Sequence, residues 1–86
     1  MNIQELRKEI DSINDEMLKL FIKRMEISYL IGKEKAKEGK SVLDRKREEE
    51  VLEYVVANSP QNIQNYSIEF FRNIMNLSKQ YQEEYK

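Results

Sequence analysis

Residues 3–37 read IQELRKEIDSINDEMLKLFIKRMEISYLIGKEKAK, and along them apolar side chains recur at alternating intervals of three and four positions. This spacing places the apolar side chains on one face of an α-helix. No proline interrupts the stretch, and Gly39 supplies a natural stop just beyond it. The sequence therefore predicts one unusually long helix from Ile3 to about Lys37. Its apolar face comprises Ile3, Leu6, Ile10, Ile13, Met17, Leu20, Ile27 and Ile31.

The rest of the chain predicts two more helices, because few glycines and prolines punctuate it and strand-like alternation is scarce. The second helix is expected from near Asp44, which can cap it, to the Asn-Ser-Pro sequence at residues 58–60. The third is expected from Asn62 or Asn65 to the C-terminus. We therefore expect an all-α fold and a single domain over residues 1–86. The expected core stripe of the third helix is Ile63, Tyr66, Phe70, Ile74, Leu77 and Tyr81, flanked by Phe71 and Met75.

The length of the first helix predicts that it packs against a second copy of the chain. About 35 helical residues form a rod of roughly 50 Å, whereas a compact chain of this size has an expected radius of gyration of about 12 Å. Part of the helix must then project beyond any core that one chain can form. Cysteine is absent, so disulfides cannot stabilise the small domain instead. We expect an intertwined homodimer.

Composition narrows the possible chemistry and the possible partners. The chain has neither histidine nor cysteine, so it lacks the usual zinc, copper and iron ligands and the common activated nucleophiles. We expect no metal and no cofactor. The 15 basic and 16 acidic residues are interspersed and nearly cancel, which argues against nucleic acid or a membrane surface as a partner. A signal peptide and a membrane-spanning stretch are not apparent, so the expected location is the cytoplasm.

Three cations of the first helix are candidate functional residues. Arg24 occupies a position of the apolar pattern, where its guanidinium points toward the apolar seam. Lys35 lies within about 20° of Arg24 around the helix and roughly 16 Å further along the helix axis. Arg7 lies about 25 Å from Arg24 along the rod, so one chain cannot bring both into one pocket. Two antiparallel copies of the helix can bring Arg7 of one chain and Arg24 of the other into the same pocket. The alternative is that Arg24 reaches solvent or pairs with a glutamate, and that Lys35 and Arg7 are surface residues.

Two further patterns lie on the other helices. Asp44, Arg47 and Glu48 share one face at the start of the second helix. Ser78 and Gln82 place a hydroxyl and an amide at the end of an apolar stripe on the third helix. A charged first turn is also common on solvated helices, so neither pattern is specific alone.

Taken in order along the chain, these motifs resemble the AroQ-class chorismate mutases. The resemblance covers nearly the entire sequence and rests on several motifs together. They are L-R-x-x-I-D at residues 6–11, Leu20 with Arg24, G-K-E-K at residues 32–35, D-x-x-R-E at residues 44–48 and S-x-x-x-Q at residues 78–82.

The resemblance implies two intertwined three-helix chains that catalyse the rearrangement of chorismate to prephenate in aromatic amino acid biosynthesis. It also implies roles for the two ends of the substrate. Arg24 and Arg7, the latter supplied by the partner chain, would hold the two carboxylates, with Ser78 assisting one of them. Lys35 and Gln82 would bracket the ether oxygen of the C–O bond that breaks.

The same resemblance implies that Glu48, with Asp44 close by, binds the ring hydroxyl and that Arg47 organises the site. Two other interpretations stay open from the sequence. Isochorismate-pyruvate lyases share the fold and similar cations, although the intact D-x-x-R-E motif favours the mutase. A non-catalytic helical dimerisation module, in which Arg24 forms an ordinary salt bridge, is the third possibility.

Overall fold

The chain folds into three α-helices and one short 3-10 turn. The computed structural model describes residues 1–85, and all regular structure in that range is helical. Helix α1 spans Ile3–Lys37, α2 spans Arg45–Asn58, the 3-10 turn spans Gln61–Ile63 and α3 spans Gln64–Glu84. The expected all-α fold with a very long first helix is confirmed.

Local hydrogen bonds fix both ends of α1. The Asn2 side chain caps the start, since its Oδ1 accepts from the Glu5 amide at 2.9 Å. At the other end Gly39 has a φ of +69°, a conformation that glycine adopts without strain. The Gly39 amide donates to the Ala36 carbonyl at 3.2 Å and the Lys40 amide donates to the Lys35 carbonyl at 2.8 Å. This pair of bonds is the Schellman motif, and it turns the chain back toward the helix it has just left.

The boundaries of α2 match the prediction, and α3 begins within the predicted range, after a short turn that was not expected. Asp44 caps α2, because its Oδ1 accepts from the Arg47 amide at 3.0 Å. After α2, the Pro60 carbonyl accepts from the Ile63 amide at 3.1 Å and closes the 3-10 turn, which the sequence pattern did not predict. Helix α3 therefore begins at Gln64, between the two predicted starting residues. Tight turns of this kind are frequent at helix starts.

Helix α3 is the centre of the fold, since it packs against α1 on one side and α2 on the other. The core of one chain is small. Its buried apolar residues are Val42, Val55 and Met75, and its buried polar residues are Ser28, Ser78 and Gln82.

The predicted core stripe of α3 is buried only in part in the single chain, where Ile74 and Tyr81 are half-buried and the predicted flanking residue Met75 is buried. Tyr66 is 74% exposed, and Phe70 and Leu77 are each 44% exposed. The buried face is instead the neighbouring one, which carries Met75, Ser78 and Gln82. Both α1 and α2 pack against the other faces of α3, so no further helix among residues 1–85 remains to cover the predicted stripe.

The N-terminal half of α1 projects from the rest of the chain. Every residue from Met1 to Leu20 is exposed, and Ile10 and Leu20 are 56% and 67% exposed. The chain is 54 Å long with a radius of gyration of 15.9 Å, well above the roughly 12 Å of a compact chain of this length. An apolar groove of about 550 Å³ runs between α1 and α3. Its apolar lining residues are Met17, Leu18, Leu20, Phe21, Phe70, Phe71, Ile74 and Leu77.

None of the helices within residues 1–85 combines the length and the hydropathy that crossing a membrane requires.

Candidate active site

A polar pocket of about 280 Å³ lies between the C-terminal half of α1, the start of α2 and the C-terminal half of α3. Its volume is close to the lower end of the usual range for small-molecule sites, roughly 300 to 1,000 Å³. The pocket brings together seven of the eight residues predicted from the sequence. These are Arg24, Lys35, Asp44, Arg47, Glu48, Ser78 and Gln82.

Arg24 enters the pocket from α1 and is held by a hydroxyl of α3. Its Nη1 donates to Ser78 Oγ at 2.7 Å, and Ser28 Oγ lies 3.2 Å from the same Ser78 oxygen. Ser28 is one helical turn from Arg24, so the two side chains share one face of α1. Ser28 and Ser78 are both buried, and together they fix one edge of the guanidinium.

The charge of Arg24 is not neutralised within the described part of the chain, where no carboxylate lies within ion-pair distance of it. Partial burial lowers the pKa of the guanidinium from its usual value, and the nearby charge of Arg47 lowers that pKa further. Arginine nevertheless stays charged throughout the ordinary pH range. A half-buried cation that faces a second cation is a good binding site for an anion.

Lys35 reaches the pocket from the last turns of α1. Its Nζ donates to the backbone carbonyl of Val42 at 2.7 Å, and Val42 is 7% exposed. The Schellman motif at Gly39 makes this contact possible because it folds the following loop back along the helix. Residues 1–85 contain no carboxylate paired with Lys35. The ammonium group has three donors, so two remain for a ligand after the bond to Val42.

Gln82 is the most unusual polar residue of the pocket. It is 7% exposed, and its buried Oε1 has no hydrogen-bond partner among residues 1–85. A buried amide that lacks a partner costs on the order of 1 to 3 kcal/mol. The unpaired atom is an acceptor, so it needs a donor such as a hydroxyl, whereas Nε2 of the same amide is the atom that can donate to an anion.

The acidic residues enter from the first turn of α2. Asp44 uses Oδ1 to cap the helix, and Glu48 follows one turn later. Glu48 Oε2 lies 2.9 Å from the Nζ of Lys79 on α3. The Arg47 guanidinium pairs with Glu50 at 3.4 Å, and both of these side chains are more than half exposed.

Arg7 lies outside the polar pocket of its own chain. It is exposed near the start of α1, 17 residues before Arg24, which corresponds to about 25 Å along the helix axis. Its predicted role therefore requires a second chain and stays a prediction.

Among residues 1–85, no cluster of acidic side chains has the arrangement needed to hold a metal ion.

The sequence model of chorismate mutase type II matches residues 6–83, and thus covers nearly the whole chain and every element of the pocket. The chain belongs to the chorismate mutase type II family. This is a family of isomerases, and it is the AroQ class that the sequence motifs resemble. No curated protein and no solved structure gives a significant match.

Sequence reasoning missed two polar residues of this chorismate mutase-family pocket. Ser28 is buried beside Ser78, and Lys79 pairs with Glu48. Helical periodicity contains a signal for both, because Ser28 lies four positions after Arg24 and Lys79 lies three positions before Gln82. The identity of their partners depends on the packing of the helices and has no signal in the sequence.

Gly32 lets α1 and α3 approach closely at the Gln82 side chain. A Cβ atom added at Gly32 would lie 3.0 Å from Cγ and 3.2 Å from Cβ of Gln82. Both distances are shorter than ordinary van der Waals contacts, so any larger residue must displace the Gln82 side chain. In a helix interior, glycine is about 1 kcal/mol less favourable than alanine. The close approach explains why glycine stands here.

Since the family resemblance assigns Gln82 to the substrate, we expect Gly32→Ala to lower chorismate mutase activity by about tenfold, because a shift of a few tenths of an ångström misaligns the Gln82 amide with the substrate. Steady-state kinetics on Gly32→Ala, Gln82→Ala and the double variant measures the effect. In the Gln82→Ala background, Gly32→Ala should cause no further loss. An equal tenfold loss in both backgrounds would show that Gly32 acts on something other than Gln82.

Proposed function

We propose that the chain is a chorismate mutase, which rearranges chorismate to prephenate as a homodimer without a cofactor. One observation carries the proposal: the polar pocket contains two cations without a carboxylate partner among residues 1–85, Arg24 and Lys35, together with the buried amide side chain of Gln82.

The charge of the pocket suits a dianion. Four basic and two acidic side chains line it. Glu48 is neutralised by Lys79, and Asp44 is occupied as a helix cap. Arg24 and Lys35 remain available, and chorismate carries two carboxylates. Arg24 offers the planar donor pair that matches a carboxylate, and Ser78 lies next to it to donate a further hydrogen bond.

The reaction requires no proton transfer and no nucleophile. Within chorismate, the ether C–O bond breaks while a C–C bond forms, and the electron pairs move around one six-membered ring of atoms. The protein must fold the flexible substrate so that the two carbons meet, and must stabilise the negative charge that grows on the ether oxygen. The Nζ of Lys35 and the Nε2 of Gln82 are donors on two packed helices, and we assign both to that oxygen.

The start of α2 completes the site in this proposal. The Glu48 carboxylate accepts a hydrogen bond from the ring hydroxyl of the substrate, and Asp44 lies one helical turn away from it. Arg47 contributes positive charge at the pocket wall, where it faces Arg24 closely enough to lower that residue's pKa.

The exposed half of α1 supports the homodimer. Arg24 lines both the apolar groove and the polar pocket, so a helix seated in the groove lies beside the pocket as well. If the occupant is α1 of a second chain in antiparallel orientation, Arg7 of that chain can stand beside Arg24. The two-fold axis then falls midway between these positions, at Asp15 and Glu16. The same register would pair Ile10 with Phe21, and would place exposed apolar side chains of one α1 against those of the other.

We expect light scattering at micromolar concentration to give the mass of two chains. The exposed apolar face of α1 is too large for a stable monomer of this size. Replacing Ile10 with aspartate should shift the mass toward one chain and lower the melting temperature, whereas Lys8→Asp, on an exposed position of the same helix, should change neither. A wild-type mass of one chain would contradict the homodimer.

One assay separates the mutase from its alternatives. Purified protein is incubated with chorismate and, separately, with isochorismate, and the products are measured. We expect prephenate from chorismate. Salicylate and pyruvate from isochorismate, without prephenate from chorismate, would identify a lyase. No turnover of either compound would leave a helical dimerisation module.

A further inference from the structure

The ion pair between Lys79 and Glu48 differs from the other ion pairs of the chain in its surroundings. The two side chains are 30% and 27% exposed. Each other ion pair among residues 1–85 leaves more than half of both side chains in solvent. Exposed pairs contribute little to stability. A partly enclosed pair at the wall of a ligand pocket is a stronger electrostatic contact, and it holds its carboxylate in place.

The geometry leaves one oxygen of Glu48 for a ligand. Lys79 contacts Oε2 at 2.9 Å, and no hydrogen bond to Oε1 occurs within the described residues. Lys79 shares its face of α3 with Met75 and Gln82, so the ammonium enters from the same wall as the Gln82 amide. The ion pair therefore joins the first turns of α2 to the ligand-facing side of α3.

Glu48 needs such a partner because Asp44 lies four positions before it. Carboxylates at this spacing share a helix face and repel each other. Without Lys79, repulsion from Asp44 and hydration favour rotamers of Glu48 that point into solvent. The neighbouring residues Glu49 and Glu50 are exposed, which shows that solvent is accessible to this part of α2.

We propose that Lys79 is a positioning residue that fixes the Glu48 carboxylate at the pocket wall, with its free oxygen directed at the substrate hydroxyl. This inference rests on the proposed function. Lys79 thereby sets the preference for substrates that carry a hydroxyl at that ring position. Since the hydroxyl is present in both the ground state and the transition state, loss of Lys79 should raise KM more than it lowers kcat.

The test compares two bicyclic dicarboxylate mimics of the transition state, one with the ring hydroxyl and one without it. Calorimetry measures the Kd of each for the wild type, Lys79→Met, Lys79→Arg and the control Lys37→Met, which removes an exposed ion pair with Glu34. The readout is the ratio of the two affinities, because loss of one positive charge weakens both dianions alike. We expect Lys79→Met to reduce the preference for the hydroxyl-bearing mimic by about tenfold. Lys79→Arg and Lys37→Met should keep the preference within about threefold of the wild type.

A double substitution isolates the role of Glu48. In a Glu48→Gln background, Lys79→Met should leave the affinity ratio unchanged, since the positioned carboxylate is gone. If the wild type binds both mimics and Lys79→Met keeps the wild-type ratio, the role of Lys79 is overturned while the proposed function stands. If the wild type binds neither mimic and does not convert chorismate, the proposed function fails, and the role of Lys79 fails with it.

Discussion

Replacement of Lys35 by alanine is expected to lower kcat by two to three orders of magnitude, about a hundredfold to a thousandfold. A preorganised donor at a developing oxyanion is worth about 3 kcal/mol or more. Lys35 also contributes a full positive charge in a pocket where the only other cation without a carboxylate partner is Arg24, as far as residues 1–85 are concerned. Steady-state assays of prephenate formation measure the loss of kcat.

Lys33 provides the matched control, because it is the neighbouring lysine of the same helix turn. Its Nζ lies 5.2 Å above the ring of Tyr29, outside the polar pocket. Lys33→Ala should keep kcat within about threefold of the wild type, since it removes only a surface cation–π contact. Both variants should unfold at similar temperatures. Near-normal turnover by Lys35→Ala would show that the ammonium is not the donor to the ether oxygen.

Replacement of Arg7 by alanine is expected to lower kcat/KM by about a hundredfold, although Arg7 lies far from the pocket of its own chain. The reason is that, in the proposed homodimer, each site takes this arginine from the other chain. Activity should return when Arg7→Ala chains are mixed with Lys35→Ala chains after unfolding and refolding. One site of each mixed dimer then has both residues intact.

Random mixing predicts about a quarter of the wild-type activity, because half of the dimers are mixed and each has one working site. The control mixes wild-type chains with chains that carry both substitutions. In those mixed dimers neither site is intact, so activity should come from wild-type homodimers alone. If Arg7 acts within its own chain, mixing the two single variants restores nothing.

The sequence predicts the ends of α1 and α2 because both depend on local chemistry. The spacing of apolar residues defines α1 from Ile3 onward, Gly39 stops it, and Asp44 caps α2. The buried face of α3 could not be predicted in the same way. The predicted stripe is the more apolar of two neighbouring faces of α3, and the face that is buried depends on where α1 and α2 pack. In one chain they cover the face of Met75 and leave Phe70 exposed.

The site could be predicted where its residues form motifs and could not where they meet through packing. The motifs identified seven residues that the structure places in one pocket. Neither the bond from Lys35 to the Val42 carbonyl nor the pair of Lys79 with Glu48 has a fixed spacing in sequence. The same limit explains Gly32, whose importance becomes clear only from the 3.0 Å approach to Gln82.

A crystal structure of the protein with a bicyclic transition-state mimic tests most directly whether cations of two chains converge on one dianion. We predict one mimic per polar pocket, with the Lys35 Nζ of one chain and the Arg7 guanidinium of the other each within about 3 Å of its oxygens. A complex in which a single chain supplies every contact to the mimic, with Arg7 of both chains in solvent, would contradict this arrangement.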